Sequence, residues 1–174
     1  MKRILFAATA AVLLSLPAHA QDGTVTARMA GADGADNGTV TFRPTKSGML
    51  NIVVEMTNLP PGSHGLHIHE KGACDPAGGF ESAGGHYAGG KEHGIDNESG
   101  PHAGDLPNVH VGENGVLKVE LFTDRLSLGE GGTNPLMDAD GSAVVLHQDP
   151  DDYASDPSGH SGHRISCGVI GQPA

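Results

Sequence analysis

The stretch HGLHIHE, residues 64–70, limits the possible folds of this chain more than any other feature of the sequence. Its polar and apolar side chains alternate, and on a β-strand residues two apart point to the same face. The alternation therefore predicts a strand that buries Leu66 and Ile68 and places His67 and His69 together on the opposite face.

A second stretch, AVVLH at residues 143–147, repeats this pattern. Val144 and Leu146 share one face, and His147 lies on the other. A third imidazole can therefore join the first two across neighbouring strands, and three nitrogen ligands on rigid strands suit copper or zinc. His64 shares the apolar face of the first strand, so we expect it to be a buried structural histidine rather than a ligand.

The rest of the chain reads as short strands separated by turns. Alternating segments occur at residues 24–29, 39–42, 50–56, 64–69, 116–122, 143–147 and 164–170. Turns are predicted at Asn37-Gly38 and Asn114-Gly115, where hairpins are expected, and at residues 59–62 and 138–141. Seven or eight short strands of this kind predict an all-β fold, an antiparallel sandwich or barrel.

Two long segments without strand periodicity, residues 70–108 and 148–163, interrupt this rhythm. Long irregular loops in a compact domain are usually functional. The first contains His86, His93 and His102, followed by Asp105. Three histidines and a carboxylate form a tetrahedral zinc set, and a bound metal would organise the loop.

The first twenty residues predict a secretory signal peptide, which leaves residues 21–174 as one mature domain. Lys2 and Arg3 precede an uncharged, mostly apolar run over residues 4–16, and small residues flank His19 at the expected cleavage site. The run is too short for a membrane anchor, which needs about 20 apolar residues. The mature chain has no other segment of that kind, so we expect no membrane association. The expected compartment is the periplasm, with secretion as the alternative.

Charge and cysteine content narrow the class of protein further. Without Lys2 and Arg3 the chain has 8 basic and 21 acidic residues, a net formal charge of −13. Nucleic acid is excluded as an expected partner, because its binding needs clustered Lys and Arg.

An exported chain meets oxidising conditions, where Cys74 and Cys167 would normally form a disulfide. Two free thiols are the alternative.

Several motifs together carry a specific family resemblance. GLHIHE, AGGHY, HGIDNESGPHAGDLPNV, VVLHQDPDDY and GHRISCGVIG occur in this order along the chain. In residue type, order and spacing they resemble the copper–zinc superoxide dismutases of the bacterial, exported type. The resemblance spans residues 24–171 and implies a Greek-key β-barrel of about eight strands, with two long loops that hold the metals.

The resemblance also implies a role for each candidate site residue. The implied copper ligands are His67, His69, His86 and His147. The implied zinc ligands are His86, His93, His102 and Asp105. His86 would be shared by the two metals, and Asp151 would link a copper histidine to a zinc histidine. Arg164 matches the active-site arginine beside copper, and Cys74 and Cys167 match the family disulfide.

The chain departs from the family pattern at two places. His86 and His93 are seven positions apart, one fewer than usual, and YAGGK replaces the common aromatic-Asn-Pro segment. This affects the expected zinc geometry more than the copper site. His160 and His163 precede Arg164 where small or amide residues are more common. They are expected to be solvated loop residues, or else to line the site or bind further metal.

The implied activity is disproportionation of superoxide to oxygen and hydrogen peroxide. Copper would cycle between oxidation states, zinc would be structural, and Arg164, with help from Lys91, would attract the anion. The alternative is a non-catalytic periplasmic copper- and zinc-binding protein on the same barrel. A zinc hydrolase is disfavoured because it would need an open zinc position, whereas four candidate zinc ligands are present here. A copper-only relative is disfavoured because it should lack those zinc ligands. The family contains monomers and dimers, so a homodimer and a monomer both fit the sequence.

Overall fold

The computed structural model of the protein describes residues 23–129 and 131–171. The predicted signal peptide, residues 1–20, lies outside the described residues. These residues contain nine strands: Val25–Gly31 (β1), Asp36–Pro44 (β2), Leu50–Met56 (β3), Gly62–His64 (β4), Leu66–His69 (β5), Val109–Val111 (β6), Leu117–Thr123 (β7), Ala143–His147 (β8) and Arg164–Val169 (β9). Two single-turn 3-10 helices cover Pro76–Gly78 and Glu81–Ala83. In the described part of the chain, no helix has the length and hydropathy needed to span a bilayer.

Seven strands form one curled antiparallel sheet in the order β5-β8-β9-β1-β2-β3-β7, and β4 and β6 form a small second sheet. Strands β1, β2 and β3 are consecutive neighbours, and β9 returns over a long connection to lie beside β1. This arrangement of three successive strands and a returning fourth is a Greek key. The predicted all-β, antiparallel Greek-key architecture is confirmed.

The core lies against the apolar faces predicted from the alternation. Leu66 and Ile68 of β5 pack in one cluster with Val144 and Leu146 of β8, and each has no exposed surface. The register pairs Leu66 with Leu146 and His67 with Val145. The histidines of both strands therefore lie on the side away from this cluster. Burial of the apolar faces fixes the strand register, since a slip by one residue would exchange the two faces.

One predicted hairpin turn is wrong. Asn37 and Gly38 lie inside β2, and the chain turns earlier, at residues 32–35, where the Gly34 amide donates to the Gly31 carbonyl. Gly38 is needed for a close approach instead, because a Cβ there would lie 2.3 Å from the carbonyl oxygen of Glu55 on β3. Its φ of +108° is also a conformation that favours glycine.

The predicted strand over residues 64–69 is two strands. The chain breaks at Gly65, so that β4 pairs with β6 while β5 pairs with β8. Strand β6, only three residues long, was not predicted, because so short a segment carries little periodicity. Asn114 and Gly115 do lie in a turn, but it leads from β6 in the small sheet to β7 in the large one. The expected pairing of these two strands as a hairpin is therefore wrong.

The predicted disulfide between Cys74 and Cys167 is present and ties the first long loop to β9. A second, smaller apolar cluster surrounds it. This cluster consists of Phe80, Ala83, Ala143, Val145 and Cys167, all buried. The covalent bond and the cluster together hold residues 74–84 against the outer faces of β8 and β9.

Replacing both cysteines by serine should lower the free energy of unfolding of the metal-free protein by up to about 4 kcal/mol, because the bridge closes a long loop. Urea titration of both proteins measures the difference. A reductant should destabilise the parent protein to the same degree and leave the C74S/C167S variant unchanged. Equal unfolding midpoints for oxidised parent and variant would contradict the anchoring role of the bridge.

Candidate metal centre

The free edge of β5 determines how the first long loop lies. β5 is the outermost strand of the large sheet, so one row of its backbone groups has no neighbouring strand. The loop satisfies these groups: the Tyr87 amide donates to the Ile68 carbonyl at 2.8 Å, and the Ile68 amide donates to the Gly104 carbonyl at 2.9 Å. The loop segments themselves are joined, since the Gly104 amide donates to the Tyr87 carbonyl at 2.9 Å.

This pairing places two loop residues each opposite one residue of β5. His86 lies opposite His69, and Asp105 lies opposite His67. Gly104 allows the approach, because a Cβ there would lie 2.4 Å from the Ile68 carbonyl oxygen. Side chains 17 positions apart (His69 and His86) and 38 positions apart (His67 and Asp105) thus meet at one strand edge. The sequence offered no specific sign that Gly104 has this role.

The first group of candidate ligands is buried and convergent. It consists of His67, His69, His86 and His147, whose ligand atoms all lie within 4.8 Å of one another. The two Nε2 atoms of His69 and His147 are 3.3 Å apart. His69 uses its other nitrogen, Nδ1, to donate to the Gly84 carbonyl at 3.0 Å, and this fixes which nitrogen faces the centre.

The second group converges closely enough to hold one tetrahedral ion. It consists of His86, His93, His102 and Asp105, again within 4.8 Å of one another. The Asp105 oxygens lie 3.0 Å from His86 Nδ1, 3.2 Å from His93 Nδ1 and 3.3 Å from His102 Nδ1. A tetrahedral ion with bonds of about 2.0 Å separates its ligand atoms by about 3.3 Å. The shortened spacing between His86 and His93 therefore does not prevent convergence of these ligands.

His86 belongs to both groups. Its Nδ1 faces Asp105, while its Nε2 is buried and has no hydrogen-bond partner among the described residues. His67 Nδ1 and His93 Nδ1 are likewise buried without a hydrogen bond, although His93 Nδ1 lies 3.2 Å from an Asp105 oxygen. An unpaired buried nitrogen costs free energy, and three that face two ligand groups fit metal ions as the missing partners.

The electrostatics of the centre favour metal binding over protonation. Burial lowers the pKa of His86 to about 4 and holds the pKa values of His69 and His147 well below their usual range. Burial alone would raise the pKa of Asp105, but hydrogen bonds from His86 and the Gly94 amide outweigh it and lower that pKa. At neutral pH these groups are neutral imidazoles and a carboxylate, the forms that bind metals.

Asp151 connects the two groups from outside. Its Oδ2 accepts from His67 Nε2 at 2.9 Å, and its Oδ1 accepts from His93 Nε2 at 3.0 Å. Burial tends to raise the pKa of Asp151, but the bonds from His67 and from the Tyr153 amide lower it overall. The carboxylate thereby turns Nδ1 of each ring toward its ligand group, as a partner of metal-binding histidines does.

Asn108 holds Asp151 in place and was not predicted from the sequence. Its side-chain amide donates to the Asp151 carbonyl at 2.8 Å and accepts from the Asp151 amide at 2.8 Å. Its own backbone amide donates to the Tyr153 hydroxyl at 2.8 Å. These bonds clasp the second long loop to the end of the first, which fixes the position of Asp151.

A cavity of about 620 Å³ opens over the first ligand group, with His69, His86, His147 and Arg164 in its wall. Arg164 is held by main-chain oxygens of the first long loop: its Nη1 donates to Phe80 and its Nη2 to Gly84, each at 2.8 Å. The Gly84 carbonyl thus orients both a candidate copper ligand and the guanidinium. A small anion that enters this cavity would meet the guanidinium and the ligand group together.

The remaining sequence candidates separate into different environments. His163 lines the cavity, whereas His160 is exposed and its Nδ1 lies 3.0 Å from Asp152. Lys91 is exposed and is not among the described residues that line the cavity. His64 is buried, and its two ring nitrogens lie 2.9 Å from main-chain carbonyl oxygens, those of Pro60 and His147. This is the structural environment expected for it.

Comparison with known proteins identifies the family. Residues 36–170 match the family described as copper/zinc superoxide dismutase (SODC). The chain belongs to this family. It is 39% identical over 172 residues to Superoxide dismutase (Cu-Zn) 2 of Aquifex aeolicus, covering 98% of this chain and 99% of that protein. The Caulobacter vibrioides Superoxide dismutase (Cu-Zn) is 42% identical, covering 84% of this chain and 85% of that one.

A solved structure of similar fold shows that the family also contains dismutase-like members. The SOD-like protein from Bacillus subtilis has a TM-score of 0.78 and 41% identity, covering 83% of this chain and 96% of that one. The chain described here is an oxidoreductase of the copper/zinc superoxide dismutase family. Membership supports binding of copper and zinc, and superoxide as the substrate.

Replacing Asp151 by asparagine should weaken zinc and copper binding by about 10- to 100-fold, because an amide nitrogen cannot accept from one of the two histidines. Titration against chromophoric chelators measures both affinities. Asp152→Asn is the matched control, since it alters the adjacent exposed carboxylate and should retain parent affinities. Equal affinities for the two variants would show that Asp151 does not orient these rings.

Proposed function

We propose that this protein disproportionates superoxide with a copper ion held by His67, His69, His86 and His147 and a zinc ion held by His86, His93, His102 and Asp105. The single observation that carries the proposal is that His86 belongs to both ligand groups, with Nδ1 beside Asp105 and Nε2 buried without a hydrogen bond. Bound copper supplies the one-electron redox couple, and bound zinc, which has no redox chemistry, supplies a fixed positive charge.

The residues of the chain have three further tasks in this proposal. Two superoxide anions need two protons to give oxygen and hydrogen peroxide. His86 would hold one of them at Nε2 whenever that nitrogen is free of copper and pass it to the product, and solvent water would supply the other. Asp151 keeps the His67 and His93 rings oriented while this happens. Arg164 attracts the anion into the cavity and holds it beside the first ligand group.

Capture of an anion by a chain with a net charge of −13 depends on the local field rather than on the total charge. Arg164 is largely buried, with 14% of its side chain exposed, so its charge is screened less than that of a surface residue. Because the cavity walls focus field lines, one guanidinium at the mouth has a larger effect than several distant carboxylates.

The alternative, a non-catalytic carrier of copper and zinc, would use the same ligands but would not need Arg164 at the cavity mouth. Purified protein loaded with both metals should inhibit reduction of nitroblue tetrazolium by superoxide, and cyanide should abolish the inhibition. A fully loaded protein with no dismutase activity would favour the carrier. A zinc hydrolase is disfavoured because four side chains already fill the zinc group.

We further propose that the protein works outside the cytoplasm, with the periplasm as its compartment. The disulfide between Cys74 and Cys167 supports this placement, because structural disulfides persist in oxidising compartments. The sequence of residues 1–20 supports it independently, as a signal peptide.

Replacing Arg164 by glutamate should lower the catalytic rate constant for superoxide by at least about tenfold at low ionic strength, and added salt should narrow the difference. Pulse radiolysis at several salt concentrations measures this. Lys46→Glu, an equal change of charge in the exposed turn between β2 and β3, should leave the rate near that of the parent. Salt-independent rates in both parent and Arg164→Glu would count against electrostatic attraction.

A further inference from the structure

The charge at the cavity mouth includes a carboxylate that the reaction as described does not use. Among the described residues that line the cavity, Glu81 is the one acidic residue. Its Oε2 lies 3.3 Å from Arg164 Nη2. The negative charge of Glu81 therefore lies beside the Arg164 guanidinium, the group proposed to attract the anionic substrate.

Glu81 is not needed to hold Arg164 in place. The guanidinium already donates to the Phe80 and Gly84 carbonyls at 2.8 Å each, which fix it from two directions. The Glu81 side chain is 77% exposed, whereas that of Arg164 is 14% exposed. An ion pair with one partner so exposed contributes little to stability, so the carboxylate acts on the site mainly through its charge.

The backbone keeps this carboxylate at the mouth. Glu81 begins the 3-10 helix Glu81–Ala83, and Ala83 at its end is fully buried in the cluster around the disulfide. The Ala83 amide also donates to the Phe80 carbonyl at 3.1 Å, the same oxygen that accepts from Arg164. The segment that carries Glu81 is therefore fixed to the segment that positions the guanidinium.

We propose that Glu81 weakens anion capture at this site by offsetting the charge of Arg164. The inference rests on the proposed function, in which Arg164 attracts the substrate. Loss of the carboxylate should make the cavity more attractive to small anions. An increase in anion affinity distinguishes the proposal from a structural role of Glu81, since a damaged site would bind anions less well.

The expected size follows from Coulomb's law near a partly screened surface. One unit charge at roughly 5–7 Å from the bound anion, at an effective dielectric constant between those of surface and bulk water, changes affinity by about three- to tenfold. The effect should fall toward parity as the ionic strength approaches 1 M, where the screening length is about 3 Å.

The test is a titration of the copper- and zinc-loaded protein with azide, followed by the absorption of the copper site. Glu81→Gln should tighten azide binding by about three- to tenfold at low salt and raise the rate constant for superoxide in proportion. Glu81→Asp retains the charge and should stay close to the parent. Glu55→Gln removes an exposed, paired carboxylate on β3, whose partner is Lys118 at 3.2 Å, and should change neither quantity.

The outcomes distinguish this inference from the proposed function. Tighter azide binding by Glu81→Gln in a protein without dismutase activity would support the role of Glu81 and remove the proposed function. Unchanged or weaker azide binding in an active enzyme would overturn the role of Glu81 and leave the proposed function intact. Equal tightening in Glu81→Gln and Glu55→Gln would also overturn it, because net charge would then account for the effect.

Discussion

The structure of the centre depends on one backbone interaction, the pairing of the free edge of β5 with two segments of the first long loop. Ile68 contributes both its amide and its carbonyl to this pairing, and Gly104 is the residue small enough to let the loop approach. The hydrogen bonds that protect an exposed sheet edge thus also place His86 and Asp105 against the strand histidines. The same hydrogen bonds therefore cover the sheet edge and bring the candidate ligands together.

Burial then gives these side chains their chemistry. The rings are desolvated, so they stay neutral at neutral pH, and Asp151 accepts one hydrogen bond from each of two rings. The remaining nitrogens, His67 Nδ1, His86 Nε2 and His93 Nδ1, make no hydrogen bond within the described residues. Burying these nitrogens without a metal costs free energy, and metal binding removes that cost. Folding of the loops is therefore coupled to metal binding.

Much of this arrangement could be predicted from the sequence, for identifiable reasons. Successive residues of a β-strand lie on opposite faces, so the alternation predicted directly that Leu66 and His67 face opposite ways. The order of the motifs indicated the family. Interactions that depend on tertiary approach could not be predicted. Gly38 was taken for a turn residue because close packing against β3 leaves no local signal, and Asn108 and Glu81 act through partners more than 40 positions away.

The central claim is that one imidazole ring is shared by two different metal ions. The most direct test is a crystal structure of the protein loaded with copper and zinc, with anomalous diffraction data collected on both sides of each absorption edge. The account predicts copper at one peak and zinc at the other, with the His86 ring bound to both through Nε2 and Nδ1. Two ions with no ligand in common, or a His86 ring bound to one ion alone, would contradict it.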